Sequence, residues 1–591
     1  MSGSIEWGDP LLPWMQDAVN LLGFEKMTPV QAAAIPLLSG NKDVVAEAVT
    51  GSGKTMAFLL PALIRLEKIE DPLHYGEVNV IIVEPTRELA YQTHKVLTEL
   101  LNLSPDPTKV RTQLITGGNQ SSRVQDTKTY LQLRPHILVA TPGRLLDLIQ
   151  APHVSTRAVD LLVFDEGDRL LDQAIDRTIP QILASLPKQK RAALFSATMN
   201  ADVIGDIVRM GMRNPVKVKV TGPDNALPDL LSLQYFNYGA DPLNKIPLAL
   251  HLLRTVPFNK AIVYIPTCTA VNFWYQVFRP VLGDEAKLYS MHGKLPQGPR
   301  LKTLGNFTND LNKCILLTTD VAARGLDIPG VDFVLQLDPP TDPNMFVHRA
   351  GRTGRAGRSG LCAVLLGDGL ELRYVDFMGV KKVNIVEGEE SVKMPESQPA
   401  EYLAKLQAWV KEDRARHDLA LRSFLSFVRY YMKHTATSIF RMDALDFPRI
   451  AQSFGVLRMP RMPEMKNKEI SNDGWLTTPF DMEKDLKYLD GKQEAARQEK
   501  LKKKAEEGDQ ADAKVAERIA QKKRNAVAWS GNLERKQTAQ HRREKRLKKA
   551  MHKRENKPEF SDSDSDVQQD WKEIVQERKK KKPNTEFTFD L

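Results

Sequence analysis

Three carboxylates crowd the end of one apolar run, where Leu161-Leu162-Val163-Phe164 is followed at once by Asp165-Glu166-Gly167-Asp168. Such a run suits a buried strand of a parallel sheet, and open α/β sheets bind ligands beyond the carboxyl ends of their strands. The tip could hold a divalent cation, although the acidic first turn of a helix would read the same way. A second stretch separates these readings. Ala48-Val49-Thr50-Gly51-Ser52-Gly53-Lys54-Thr55 lies between an apolar run at Val44 and a helical pattern from Met56 to Ile69. That is the strand, loop and helix order of a phosphate-binding loop, in relaxed form because Ala48 stands where the general pattern has glycine. Its glycines let backbone amides cradle phosphates, Lys54 reaches the outer phosphates, and the Thr55 hydroxyl ligates Mg²⁺. The two stretches together predict ATP and Mg²⁺ as cofactors. Thr55 and Asp165 would hold the metal, and Glu166 would orient or deprotonate the attacking water.

Further along runs His348-Arg349-Ala350-Gly351-Arg352-Thr353-Gly354-Arg355-Ala356-Gly357-Arg358. Arginines this dense cannot form an ordinary core face, because burying unpaired guanidinium groups is prohibitive. They require anions. Arg352 and Arg355, three residues apart, could enter one cleft as fingers that stabilise charge on a transferred phosphoryl group. With the loop in one domain and the fingers in another, ATP is hydrolysed only when the domains close.

The elements that must position these groups alternate in type. Strand-like runs at Asp43–Ala46, Val78–Val83, His136–Ala140, Leu161–Phe164 and Ala192–Phe195 are separated by helical stretches, the signature of a parallel sheet. The pattern pauses at a linker-like segment with Gly222, Pro223 and Pro228, then resumes at Ala261–Ile265, Leu288–Met291, Cys314–Leu317, Val331–Leu337 and Leu361–Leu366. The expected organisation is α/β: one parallel-sheet domain over 1–220, a second over 221–385, a helical C-terminal extension over 386–470 and a basic, largely disordered tail over 471–591. The aromatic run from Phe424 to Tyr431 reads as helix core.

The chain's 591 residues exceed one core, and 84 Lys plus Arg against 74 Asp plus Glu give a formal charge of +10. The excess falls largely in the tail, where His541–Arg554 and Lys579–Lys582 are basic runs and Ser561–Asp566 alternates serine with aspartate. A polyanionic partner is the expectation. Cys268, Cys314 and Cys362 are odd in number and without a C-x-x-C pair, which excludes a disulfide framework or zinc site and fits a reducing compartment. No window approaches 18 apolar residues and the start is polar, so no membrane association is expected.

The order and spacing of these motifs resemble the DEAD-box RNA helicases, a superfamily 2 group built from two tandem RecA-like domains, over roughly residues 6 to 385. Gly23-Phe24, Thr28-Pro29 and Gln31 look like the adenine-reading motif, with Trp7 in the place of its stacking aromatic. Pro85-Thr86-Arg87-Glu88-Leu89-Ala90, Gly117-Gly118 and Thr141-Pro142-Gly143-Arg144 match RNA-contacting motifs of the first domain, and Ser196-Ala197-Thr198 matches its coupling motif. In the second domain Ile265-Pro266-Thr267, Gln297 with Arg300, and Thr318-Thr319-Asp320-Val321-Ala322-Ala323-Arg324-Gly325-Leu326-Asp327 look like RNA and ribose contacts. The resemblance implies RNA binding at Pro85, Thr86, Arg87, Gly118, Thr141, Pro142, Gly143, Arg144, Thr267, Arg300 and Thr319. It implies nucleotide contacts at Trp7, Phe24, Gln31, Ala48 to Thr55, Gly325 and Asp327, and coupling through Asp168, Ser196, Thr198 and His348. Small residues at strand ends would let backbone amides approach phosphates without reading bases.

Arg422–Lys433, Ser438–Arg441, Phe454–Pro460 and Ala528-Trp529-Ser530, together with Glu6-Trp7 and Leu11–Trp14, resemble a eukaryotic, notably fungal, subgroup that acts in assembling the 60S subunit. That implies 25S/28S-type ribosomal RNA and pre-60S proteins as partners, the nucleus and nucleolus as setting, and a monomer outside the particle. The expected activity is an RNA-dependent ATPase and helicase that closes two domains and pries a short duplex apart. An ATP-gated RNA clamp would carry the same motifs, and a DNA helicase is disfavoured by the resemblance alone. One departure stands out: Gly167 occupies the third place of the namesake tetrad, where the family has alanine.

Overall fold

Alternate residues of each central strand feed two different cores, which is why the strand sequences read as continuous apolar runs. Val80, Ile82, Leu161 and Val163 join one apolar cluster with Val30, Ile35 and Phe58, whereas Ile81, Val83, Leu162 and Phe164 join another with Leu145, Leu170 and Ile179. A sheet covered on both faces has no wet side for polar residues to occupy. The computed structural model describes residues 6–48, 51–69, 73–117, 122–173, 178–188, 190–196, 211–220, 230–322, 328–355, 358–389, 398–460, 462, 480–482 and 484–506. All of these except Met462 lie within one compact unit.

The first sheet contains β1 (Val44–Glu47), β2 (Val80–Val83), β3 (Thr112–Ile115), β4 (Ile137–Ala140), β5 (Leu161–Phe164), β6 (Arg191–Ser196) and β7 (Val216–Lys219). Its order is β3-β4-β2-β5-β6-β1-β7, with every pair parallel. This order sets β5 beside β6 and β6 beside β1, so the acidic tip, Ser196 and the phosphate-binding loop share one end of the sheet. The second sheet contains β8 (Leu231–Asn237), β9 (Lys260–Tyr264), β10 (Lys287–Met291), β11 (Cys314–Thr318), β12 (Phe333–Gln336), β13 (Gly360–Leu366) and β14 (Val386–Glu387). Its order, β10-β11-β9-β12-β13-β8-β14, is again fully parallel. These are tandem RecA-like sheets.

The C-terminal extension contributes helices Gln398–Lys411, Arg414–Tyr431 and Phe447–Ser453. Phe424, Phe427, Val428 and Tyr431, at helical spacing, are buried. Phe454 fills the junction with the second domain, its ring centroid 5.3 Å from Trp274, 5.7 Å from Phe427 and 6.2 Å from Phe273.

The expectation that nothing after residue 470 packs is corrected for residues 480–490. The Arg414 guanidinium donates to the carbonyls of Met482 (3.0 Å) and Leu486 (3.2 Å), the Tyr488 hydroxyl donates to Asp418 (2.6 Å), and Leu486 is buried. A single leucine and tyrosine anchor this segment, too few to make a periodic signal. A helix, Gly491–Glu506, follows. The linker-like segment around Gly222, Pro223 and Pro228 and the basic runs beyond 506 lie outside the described residues. Among the described residues no helix is long and apolar enough to cross a membrane.

Candidate active site

The phosphate-binding loop owes its shape to two glycines. Gly51 (φ +85°) and Gly53 (φ +89°) adopt the left-handed conformation, and a Cβ on Gly53 would stand 2.4 Å from Gln31 Nε2. Gln31 Nε2 donates to the Gly53 carbonyl (3.1 Å) while its Oε1 accepts from the Thr28 amide (2.8 Å), tying the helix Pro29–Ser39 to the loop. Lys54 and Thr55 open the helix Lys54–Glu67, Ala48 donates its amide to Ser196 O (3.0 Å), and the buried Ser52 hydroxyl has no hydrogen-bond partner among the described residues. Trp7 Nε1 donates to the Phe24 carbonyl (2.6 Å), and the Phe24 side chain stays exposed.

Asp165 continues the ladder beyond β5, its amide donating to Val83 O (3.1 Å), and then Glu166 turns the chain at φ +47°. That left-handed conformation is strained for a glutamate, by about 1–3 kcal/mol, and such strain clusters at working sites. The turn brings Glu166 Oε1 to 3.5 Å from Lys54 Nζ, with both side chains buried. Burial pushes the Asp165 carboxyl up to about 7 despite the nearby Lys54. Glu84, fully buried behind it and accepting from Thr93 Oγ1 (2.7 Å), is raised well above the ordinary range by burial and then by Asp165. A desolvated carboxyl cluster and an orphaned hydroxyl beside a left-handed glycine loop fit a divalent cation and phosphate oxygens, which would restore the anionic form of Asp165.

The second domain reaches this site through its helix Asn344–Ala350. Asp168 accepts from Ser196 Oγ at Oδ1 (2.9 Å), and its Oδ2 lies 3.0 Å from His348 Nε2, so one carboxylate joins the two domains. Glu166, Asp168 and His348 bring possible ligand atoms within 4.8 Å of one another. Both Asp168 oxygens are already engaged, so the cluster works as a hydrogen-bonded relay. Arg355 lies over the loop, its Nε 3.7 Å from the position a Gly51 Cβ would take, and its Nε donates to Gly351 O (2.8 Å). Arg352 is buried and donates from Nε to His348 O (3.2 Å).

The expected RNA residues fall into two groups. Thr86 caps the helix Arg87–Asn102, accepting from the Leu89 amide (3.3 Å), and follows the buried Pro85. Arg87 and Arg144 flank Gly117, whose added Cβ would meet Arg87 Nη2 at 3.3 Å and Arg144 Cγ at 3.5 Å. Thr141 and Pro142 begin the helix Pro142–Ile149, and Gly143 is exposed. Thr319 follows β11 and is buried. Three guanidinium or hydroxyl groups are committed within the protein. Arg144 pairs with Asp126 (2.7 Å), Thr267 Oγ1 is 2.7 Å from Ser426 Oγ of the extension, and Arg300 pairs with Glu88 across the domains (2.8 Å, both buried). In the last, the buried guanidinium takes the nearest carboxylate, which lies in the other domain. Val49, Thr50, Gly118, Thr198, Gly325 and Asp327 lie outside the described residues.

Sequence reasoning missed Glu88 as the partner of Arg300, Glu84 behind Asp165, and Arg349 as an anchor. Arg349 donates from Nε to Asp320 (2.6 Å) and from Nη1 to Gln336 (3.2 Å) and Asp338 O (2.9 Å). Only a glutamate and an arginine amid apolar and proline residues could have signalled them.

Comparisons with known proteins agree with this site. A family model for the DEAD/DEAH box helicase matches residues 28–207, one for the helicase conserved C-terminal domain 244–357, and SPB4-like C-terminal extension and tail models match 413–462 and 488–590. The chain is 45% identical to an ATP-dependent rRNA helicase SPB4 of Scheffersomyces stipitis, over 99% of this chain and 98% of that protein. It is 41% identical to one of Saccharomyces cerevisiae, over 98% of each. Among solved structures, DEAD-box helicase Mss116 bound to ssRNA and UDP-BeF is similar at a TM-score of 0.67 and 26% identity, covering 78% of this chain and 94% of that one. With sheet order, nucleotide loop, cross-domain relay and full-length likeness in agreement, the chain belongs to the DEAD-box helicases, in the ATP-dependent rRNA helicase SPB4 family.

Proposed function

We propose that this RNA-dependent ATPase remodels ribosomal RNA in particles maturing towards the large subunit, by closing its two domains over ATP and RNA. The observation that carries the reading is the Asp168 carboxylate, shared between Ser196 of the first domain and His348 of the second. Nucleotide state and domain closure thereby meet at one side chain. Mg²⁺, held by Thr55 and Asp165, would neutralise charge on the outer phosphates. Lys54 binds those phosphates, Glu166 orients and deprotonates the attacking water, and Arg352 and Arg355 stabilise charge on the transferred group. Trp7, Phe24 and Gln31 hold the base; Gly325 and Asp327 hold the ribose.

RNA follows the backbone-reading positions Thr86, Arg87, Gly118, Thr141 to Arg144, Thr267 and Thr319, with little dependence on sequence. Bending across both domains strains a short duplex, and hydrolysis permits release. The names of the similar proteins support ribosomal RNA as target, and the proposal extends to a nucleolar setting, pre-60S partners and a monomer outside the particle. The test is RNA-stimulated ATP turnover in Lys54→Ala and Glu166→Gln proteins, coupled to sequencing of RNA crosslinked in cells. Both variants should be inactive and the crosslinks should map to large-subunit RNA. Unchanged turnover in either variant would sink the chemistry, and crosslinks elsewhere the target.

A further inference from the structure

The chain between β12 and the helix Asn344–Ala350 reads Leu337-Asp338-Pro339-Pro340-Thr341-Asp342-Pro343. Three prolines leave it few amide donors, so its carbonyls need partners from elsewhere. The C-terminal extension supplies them. The Tyr430 hydroxyl donates to Pro339 O (2.8 Å), and Thr435 donates to Thr341 O from both its amide (2.9 Å) and its hydroxyl (3.1 Å). The Tyr430 hydroxyl also interacts electrostatically with the Arg349 guanidinium, which is buried and bonded to Asp320, Gln336 and Asp338 O. The helix held in this way presents His348 to Asp168 and leads directly into Arg352 and Arg355. A displacement of a few tenths of an ångström at its start would carry through a rigid, packed helix to groups that must meet the nucleotide.

We propose that Tyr430 and Thr435 are positioning residues for ATP hydrolysis: the extension braces the proline-rich loop and so sets the helix that leads into the fingers against the first domain. This rests on the ATPase reading above. The brace predicts that the extension tunes turnover without touching nucleotide. Tyr430→Phe removes only the hydroxyl and keeps the ring against His434 (5.4 Å), and Thr435→Val is nearly isosteric.

The experiment uses the full chain and measures RNA-stimulated kcat, KM for ATP, ADP affinity, and the lifetime of single-stranded RNA on the protein with ADP–beryllium fluoride. The expected result is a fall in kcat of about 5- to 20-fold in Tyr430→Phe and a smaller fall in Thr435→Val, whose amide still donates to Thr341 O. The RNA lifetime should shorten by a similar factor, and KM and ADP affinity should stay within about twofold. If the wild type itself shows no RNA-stimulated turnover, the ATPase reading fails. If the wild type turns over and both variants match it, the brace fails. Parallel loss of kcat and ADP affinity would also overturn it, since that marks a general folding defect.

Discussion

Gly167 is the residue whose replacement tests the site most directly, because alanine there would restore the family's tetrad. A Cβ on Gly167 would stand 2.2 Å from Leu194 Cδ1 and 3.0 Å from Leu194 Cγ. Ordinary carbon contacts lie near 3.5–4.0 Å, so something must move. Leu194 is buried, and its register partner on β5 is Phe164, one residue before the acidic tip. Overpacking of that kind costs about 1–3 kcal/mol when nothing yields. Here an apolar cavity lined by Phe164, Leu170, Ile179, Leu183 and Met212 adjoins Leu194, so the side chain can swing at a cost of about 0.5–1.5 kcal/mol. Against this, replacing a glycine that has no need of positive φ returns up to about 1 kcal/mol of backbone entropy. The opposing effects nearly cancel, and Gly167→Ala should change stability in urea by less than about 1 kcal/mol.

Activity is more exposed to the change, because Gly167 separates the strained Glu166 from the shared carboxylate of Asp168. Displacing Asp168 from Ser196 should lower kcat about 3- to 10-fold, equivalent to roughly 0.7–1.4 kcal/mol. Leu194→Val removes the clashing carbon and alone costs about 1 kcal/mol. Combined with Gly167→Ala it should be less damaging than the sum, by about 1 kcal/mol in unfolding and with partial recovery of kcat. Strict additivity, or a Gly167→Ala protein that hydrolyses ATP faster than wild type, would refute the steric account of the glycine.

Three other outcomes are expected. Burial makes Glu84 hold its proton more tightly when folded than its ordinary value of 4.5, so its stabilising contribution is complete below that value and declines as pH rises through the raised one. Glu84→Gln should therefore gain stability over wild type as pH rises above about 4.5, and equal pH slopes in urea melts would contradict this. Arg300→Met should leave the fold intact but weaken RNA binding with ADP–beryllium fluoride by up to about 100-fold, since Glu88 would be buried without a partner on closure. An unchanged affinity would place the pair outside the closing step. Deleting residues 507–591, which carry the basic runs, should flatten the dependence of log RNA affinity on log salt, and an identical slope would exclude the tail from RNA binding.

Much of the fold was legible because buried parallel strands must be apolar throughout, and the central ones announce themselves. The edge strands of the first sheet do not, and neither does β8, which lies inside the second sheet but alternates buried with wetter positions. β3 reads Thr-Gln-Leu-Ile and β7 Val-Lys-Val-Lys, since one side of an edge meets water and admits polar residues. The phosphate loop and acidic tip were readable because their chemistry fixes residue types at short spacing. The pairs Arg300–Glu88 and Tyr430–Pro339 were not, because partners 212 and 91 residues apart are joined only by tertiary packing. For the same reason Gly167 was legible only as a departure from the family's alanine, and its close approach to Leu194 needed the structure.

The character of the cross-domain contacts carries a consequence for the cycle. Asp168 with His348, Glu88 with Arg300, and Arg355 over Gly51 are all polar or ionic, and each side regains water when the domains part. Apolar burial would lose about 25 cal/mol for every Å² re-exposed, a debt that grows with interface area. A buried ion pair roughly breaks even against the water each side regains, so domains joined by such pairs separate more readily than apolar faces would. Closure in this design must be driven by what lies between the domains, and ATP with RNA supply the anions for which Lys54 and the second-domain arginines are arranged. Loss of the γ-phosphate by hydrolysis removes part of that drive, and the same polar contacts that assembled the site then let it open.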